Sequence, residues 1–369
     1  MEKVKIDDVL KYEQPTNYLV ENEDYNDSFE TPVLTAGKTF LLGKTNEKSG
    51  IYNNVPVIIF DDFTTAFHYV DFPFKVKSSA MKILKNVEEK SDLKYLYYKM
   101  QTISIDTNLH KRYWISKYSQ IKIKLPPLPA QQKIAAILDQ ADAIILNNRA
   151  IVKKYDALTQ SLFLDMFGDP VKNEKGWEKK EFKSFGKIST GNTPSRADAK
   201  NYDNDYIEWI KTDNIIENQF HISKAQEYLS FEGAKKGRIV KENSLLVTCI
   251  AGSLQSIGRA GISNRKIAFN QQINAIEPND NVNISFLYFL VKNSRKYIQD
   301  HASSGMKRML SKGEFEKIKM ILPPITLQNQ FAELVAMIEA QKEQAQLELA
   351  KSEELFASLL QRAFKGELS

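Results

Sequence analysis

Apolar residues in this chain follow a long rhythm that appears twice. Between residues 130 and 167 they recur at alternating steps of three and four, at Ile134, Leu138, Ala141, Ile145, Val152, Tyr155, Leu162 and Met166. Between residues 327 and 365 the rhythm returns at Phe331, Val335, Ile338, Ala345, Leu349, Phe356, Leu359 and Ala363. Neither stretch contains proline or glycine. This is the a/d seam of a coiled coil. Asn148 and Thr159 interrupt the first seam, Lys342 and Ser352 the second. Helices of about 38 residues would each be ~57 Å long. Neither could bury so long a stripe against a small domain alone, so mutual pairing is expected. Two ordinary core helices in separate folds are the alternative.

The lead-in to each stretch is also repeated. Residues 122–138 read KIKLPPLPAQQKIAAIL and residues 319–335 read KMILPPITLQNQFAELV, 197 residues apart. Gln131 falls on Gln328, Ala135 on Ala332 and Leu138 on Val335. A period this long is too great for a solenoid and points to duplication of a domain with its helix. The blocks before each helix agree. VPVIIF (55–60) and NSLLVTCIAG (243–252) predict buried strands, while SDLKYLYYKMQTI (91–103) and ISFLYFLVKN (284–293) predict short helices. Prolines stop each block, and Phe167-Gly168-Asp169-Pro170 stops the first long helix.

The fold class predicted is therefore mixed α/β. Two similar globular domains, 1–124 and 170–321, alternate with two helical segments, 125–169 and 322–369. The helices would pair antiparallel through a pseudo-two-fold repeat, with one domain at each end.

Composition adds less. The chain is ordinary globular, 42% hydrophobic and 26% charged, and no apolar run approaches the ~20 residues of a membrane span. MEKVKIDDVLKYEQ has no apolar core of a signal peptide, so a cytoplasmic location is the default. Charge is uneven: residues 170–325 carry 25 Lys/Arg against 17 Asp/Glu, which favours an anionic partner such as nucleic acid.

Catalytic patterns are weak. AGKTFLLGKT (36–45) leaves five residues between Gly37 and Gly43, where a phosphate loop needs four; its Phe40, Leu41 and Leu42 suggest a strand. Asp61-Asp62 reads as a turn or strand cap rather than a metal site. Ser253 lacks the glycine pattern of a nucleophile elbow. Cys249 is the lone cysteine and sits among Val247, Thr248 and Ile250 as a small buried hydrophobe. The four histidines have no metal-ligand spacing.

In their order, these pieces resemble the specificity subunit of type I restriction–modification systems. LPPLPAQQKIAAILD (125–139) and LPPITLQNQFAEL (322–334) are similar to that family's entry to each conserved helix. LFLDMFGDP (162–170) and LLQRAFKGEL (359–368) look like its helix exit and C-terminal ending. ISTGNTPS (188–195), EWIKTDNI (208–215) and FNQQINAI (269–276) also look familial. ITLQNQ (325–330) lacks the acidic residue before glutamine, and GMKRML (305–310) replaces a small-polar run. The resemblance implies a non-catalytic reader of a split double-stranded DNA target, one domain per half. Modification subunits, two of them, would bring S-adenosylmethionine and methylate adenine. Restriction subunits would add ATP- and Mg-dependent translocation and cleavage. This chain would bind no cofactor or metal and touch no membrane.

For readout, polar residues in turns beside strands are the candidates. In the second domain they are Thr190, Asn192, Thr193, Ser195 and Arg196, then Lys211, Thr212, Asp213 and Asn214, then Asn270, Gln271 and Gln272. Lys307 and Arg308 suit phosphate or guanine contacts. In the first domain Lys38, Lys44, Thr64, Thr65, Lys111 and Arg112 are the counterparts. Each could equally be a turn former or a solvated charge. A second apolar stripe (Ile137, Ile144, Ile151 and Leu158, with Leu334 and Leu355) would dock the partner subunits or pack against the domains. Two other functions stay open: an interaction scaffold that never touches DNA, and a nuclease or methylase with degenerate motifs.

Overall fold

The computed structural model describes residues 2–37, 39–105, 112–303 and 308–368. The chain packs as two units, residues 1–149 with 347–369, and residues 150–346. Both mix helix and sheet, and the same plan is built twice.

In the first unit a four-stranded antiparallel sheet runs Leu10–Glu13, Met81–Asn86, Val57–Asp61, Phe67–Val70. In the second the order is Gly186–Thr190, Ile273–Pro278, Ser244–Thr248, Ala260–Ser263, again antiparallel throughout. A helix follows the second strand of that order in each case, Leu93–Gln101 and Ile284–Asn293. Each unit also closes a two-stranded ribbon beside its proline pair, Glu2–Lys5 with Lys122–Leu125 and Lys179–Glu181 with Lys319–Ile321. The duplication predicted from the repeated phrase is thus a duplication of topology.

The predicted strand VPVIIF explains how each sheet is seated. Val57, Ile58, Ile59 and Phe60 are all fully buried. Successive side chains of a strand point to opposite faces. Ile58 and Phe60 join a core with the helix Leu93–Gln101, while Val57 and Ile59 join another with Leu34 and Phe74. Leu245 and Val247 in the second unit likewise face one core and Leu246 another. A strand covered on both faces reads as a continuous apolar run, as these do.

The long helices are Leu128–Phe167 and Ile325–Lys365. Each is divided between the units, so the expected boundaries at 125, 170 and 322 follow the sequence blocks rather than the packing units. The first ends as predicted: Gly168 adopts a left-handed φ of 76° and its N–H donates to the Leu164 carbonyl at 2.8 Å.

Within each unit the two helix segments run antiparallel. In the first, Asn148 Nδ2 donates to Ser352 Oγ at 3.3 Å and Arg149 pairs with Glu353 at 2.7 Å. Ile134 and Leu138 share a core with Phe356 and Leu359, and that core also contains Leu96 and Tyr98 of the short helix. In the second, Lys342 Nζ lies 2.7 Å from Asp156 Oδ1, and Phe331 packs on Phe163 and Phe167.

The seam positions Ile134, Leu138, Ala141, Ile145, Phe331, Val335, Ala345 and Ala363 are buried. Val152, Tyr155, Leu162, Met166, Ile338, Leu349, Phe356 and Leu359 are half-buried. Near the end of the first helix the closest packing passes to Phe163 and Phe167, which the sequence reading did not choose. The run LFLDMF offers two adjacent apolar registers, and only the aromatic cluster with Phe286 and Phe331 separates them.

Two buried glutamines tie the long helices to their domains. Gln131 Nε2 donates to the carbonyls of Pro126 (2.8 Å) and Lys90 (3.1 Å), and Oε1 accepts from Asp92 N (2.9 Å). Gln328 Nε2 donates to Pro323 (2.8 Å) and Asn281 (3.1 Å), and Oε1 accepts from Asn283 N (2.9 Å). Asp92 and Asn283 are the N-caps of the two short helices.

Candidate nucleic-acid interface

In the second unit a parallel strand pair gathers the predicted polar segments. Ile207–Ile210 runs parallel to Ile267–Phe269. Parallel strands end on the same side, so Lys211–Asn214 and Asn270–Gln272 both leave at one edge of the sheet. Asn270 N donates to Ile210 O at 3.0 Å and Asn192 N to Phe269 O at 3.1 Å, which brings in the segment after Gly186–Thr190. Gly191 is required there, because a Cβ would stand 2.1 Å from the Asn270 carbonyl oxygen. Thr193 Oγ1 then donates to Gln271 Oε1 across the two loops.

Several predicted readers are committed to bracing these loops. Thr190 Oγ1 donates to Asn274 Oδ1 at 2.6 Å. Asn192 Oδ1 accepts from Arg238 N and its Nδ2 donates to Lys236 O. Asn214 Oδ1 accepts from Lys211 N, while Nδ2 donates to Lys224 O. Asn270, 5% exposed, accepts from Gln272 N and donates to Gln272 Oε1. Such residues shape an interface without being free to read a base.

Thr193, Ser195, Arg196, Asp213 and Gln271 are exposed, while Lys211 and Thr212 are half-buried. Arg308 lies in a separate short ribbon, Ile250–Ala251 with Arg308–Met309. Gln272 is connected to that ribbon: its carbonyl accepts from Cys249 N and Ile250 N.

Arg196 and Lys211 share one carboxylate. Arg196 Nη2 donates to Glu227 Oε2 at 2.6 Å, and Lys211 Nζ donates to Glu227 Oε1. The two cations, Lys211 first, hold the Glu227 carboxyl below the ordinary glutamate range. Arg196 stands over the rings of Tyr202 and Trp209 and Lys211 over Trp209. The sequence reading missed Glu227 and Tyr202 and, although Trp209 lies in the quoted EWIKTDNI, did not name it as a site residue; only the antiparallel pairing of Ile207–Ile210 with Tyr228–Leu229 draws Glu227 to the site.

In the first unit, the Thr64 and Thr65 turn and Arg112 are brought together through Asp62. Asp61 Oδ1 accepts from Phe63 N and Thr64 N, making the turn. Asp62 is 1% exposed; its Oδ1 accepts from Trp114 N at 2.8 Å and its carbonyl from Tyr113 N at 2.7 Å. Lys82 Nζ lies 3.6 Å from Asp62 Oδ2 as a charge partner. The aspartate pair therefore forms a turn and an anchor for residues 112–114. Lys44 shares none of these contacts; it sits in the strand Leu41–Thr45 of a different sheet. Lys38, Lys111 and Lys307 lie outside the described residues.

The remaining chemical candidates take structural places. The phosphate-loop look-alike contains the strand Leu41–Thr45. Cys249 is buried, and burial pushes its thiol up to about 12. Among the described residues no group of three or more His, Cys, Asp or Glu is placed to hold a metal ion, and no helix is long and apolar enough to cross a membrane.

Two α/β units of one topology, each with a long-helix lead-in, define a duplicated domain. Residues 1–154 and 174–349 match the family described as type I restriction modification DNA specificity domain, and this chain belongs to that family. It is 32% identical over 356 residues to the Escherichia coli type I restriction enzyme EcoR124I/EcoR124II specificity subunit, covering 91% of this chain and 86% of that one. It is 31% identical over 199 residues to the Haemophilus influenzae type I restriction enzyme HindI specificity subunit, covering 53% of this chain and 42% of that one. The fold is shared with the S subunit of a type I restriction–modification system from M. genitalium, with a TM-score of 0.62 at 15% identity over 98% of this chain and 96% of that one. A chain from a structure on complex assembly and conformational transition of the type I R-M system gives 0.55 at 14% identity, over 99% of this chain and 98% of that one.

Proposed function

We propose that this chain is the non-catalytic, sequence-reading subunit of a type I restriction–modification complex acting in the cytoplasm in host defence. Each unit reads one half of a split DNA target. The observation that carries this reading is the duplicated unit, supported in the second copy by polar loops gathered at one sheet edge. A small interface discriminates few bases, each mismatch costing ~1–3 kcal/mol. Joining two such readers makes the second engagement intramolecular and multiplies selectivity.

The uninterrupted helices, Leu128–Phe167 and Ile325–Lys365, suit a spacer that sets the gap between half-sites. They also offer apolar side chains that their own seam leaves uncovered: Ile144 is 49% exposed, Leu158 50%, Leu334 43% and Leu355 52%. Exposed apolar stripes of this kind fit protein partners. Two modification subunits would dock there and bring S-adenosylmethionine to methylate adenine, flipped from the stack. Restriction subunits would use ATP and Mg for translocation and cleavage. This chain holds no cofactor in that scheme.

Mapping adenine methylation in a host that carries this gene with its modification subunit tests the proposal. The expected result is one two-part motif with a fixed gap. A continuous motif, or none, would overturn it. The lone chain incubated with labelled S-adenosylmethionine should transfer no methyl group.

A further inference from the structure

We infer that Arg196 and Lys211 form a seat for a DNA backbone phosphate, and that Glu227 occupies this seat in the unbound chain and must be displaced. The inference rests on the DNA-reading function proposed above and names a contact within it.

The carboxylate is gripped as a phosphate would be. Each of its oxygens meets a different cation, Arg196 on Oε2 and Lys211 on Oε1. Aromatic rings face the cations from a second side. Arg196 lies 5.1 Å from the Tyr202 ring centroid and 5.3 Å from that of Trp209, and Lys211 lies 5.3 Å from Trp209. The aromatic walls are fixed in turn: Trp209 Nε1 donates to Asn192 O at 3.2 Å, and Tyr202 Oη to Pro194 O at 2.6 Å. With the cations faced by these rings, one oxyanion can replace another.

The carboxylate is also free to leave. Glu227 is held in the chain by its backbone, whose carbonyl accepts from Trp209 N at 2.9 Å, so its side chain can swing without unpairing the strand. The side chains of Arg196 (56%), Glu227 (38%) and Lys211 (31%) all reach solvent. A cavity of about 290 Å³ opens beside Lys211 and Glu227, with Trp209, Asp213 and Lys224 also in its lining. Glu208 in the same unit shows the contrasting, structural arrangement. Its carboxylate takes two hydrogen bonds from Arg265, and Oε2 also accepts from the backbone N–H of Ala225 at 2.7 Å. Glu227 has no backbone donor among the described residues.

An internal competitor weakens backbone binding without touching base contacts. When a phosphate displaces Glu227, the freed carboxylate takes up a cation, so fewer ions are released overall. Affinity falls for target and bulk DNA alike, because a phosphate contact carries no sequence information.

The test is a titration of the full chain, assembled with its modification subunits, against a fluorescent duplex lacking the target, from 50 to 300 mM salt. Glu227→Gln should bind about tenfold more tightly at 0.1 M salt, with the log–log slope steeper by about 1, given ~0.9 per neutralised phosphate. Adding Lys211→Gln to Glu227→Gln should take back about 1 of that slope. Glu242→Gln removes an exposed carboxylate of the same unit that has no cation paired with it among the described residues, and should leave the slope unchanged. An unchanged slope in folded Glu227→Gln, weaker binding, or an equal gain from Glu242→Gln overturns the inference while the DNA-reading function stands. A wild-type complex with no salt-dependent DNA binding overturns both.

Discussion

Replacing Gln328 with leucine removes one side chain that fastens a long helix to its domain. Gln328 is fully buried and makes three hydrogen bonds to backbone groups: two carbonyls, of Pro323 and Asn281, and the N–H of the N-cap Asn283. Leucine keeps most of the volume, so the cavity cost is small and polar loss dominates. At ~1 kcal/mol net per hydrogen bond, with an added penalty for the stranded Asn283 N–H, the unit should lose ~3–4 kcal/mol. That is a large share of the ~5–15 kcal/mol typical of a folded protein. For a unit of this size each kcal/mol lowers Tm by ~2–4 °C, giving a fall of roughly 6–16 °C. Gln131→Leu should cost the same, because Gln131 makes the same three bonds to Pro126, Lys90 and Asp92. Gln328→Glu should be worse than leucine at pH 8, since a carboxylate cannot donate to two carbonyls, and should recover partly as acid protonates it. Urea unfolding measures each loss. If both leucine variants lose less than ~1 kcal/mol, the glutamines are not fasteners.

Inserting one heptad into each long helix, after Arg149 and after Gln346, preserves the seam and adds ~10.5 Å. Methylome mapping should then show unchanged half-sites separated by about three more base pairs at ~3.4 Å each; an unchanged gap would refute the spacer. Gln271→Ala removes an exposed amide, so one base position in a single half-site should relax by ~1–3 kcal/mol while the other half keeps its preference, read by competition binding. Cys249 should resist alkylation at pH 8 in the native chain and react once unfolded. Its folded pKa is raised by burial to about 12 from 9.0, so the folded state keeps the proton longer. The stability it confers is whole below pH 9 and is lost as pH climbs toward 12, at ~1.4 kcal/mol per unit; Cys249→Ala should flatten that part of the stability–pH curve.

The amino-acid sequence alone determined the local elements and their duplication. Helical spacing from Ile134 to Met166 and from Phe331 to Ala363 specified two long helices within two residues of their starts. The repeated LPP phrase specified a doubled unit, and VPVIIF specified a strand buried on both faces. These are periodic signals carried by consecutive residues, which is why a single sequence shows them. Tertiary structure decided which polar residues are available. Asn192, Asn214 and Asn270 look like base readers in the sequence, yet their amides brace backbone turns. Gln131 and Gln328 are marked in the sequence only as matching positions of the repeated phrase, yet in the structure they are buried fasteners. Glu227 carries no signal at all until Tyr228–Leu229 pairs beside Ile207–Ile210 and sets it between Arg196 and Lys211. The reason is common to all three. A hydrogen-bonding group is free or spent according to partners distant in sequence, and the parallel pairing that joins residue 210 to residue 270 leaves no trace in the spacing of either strand.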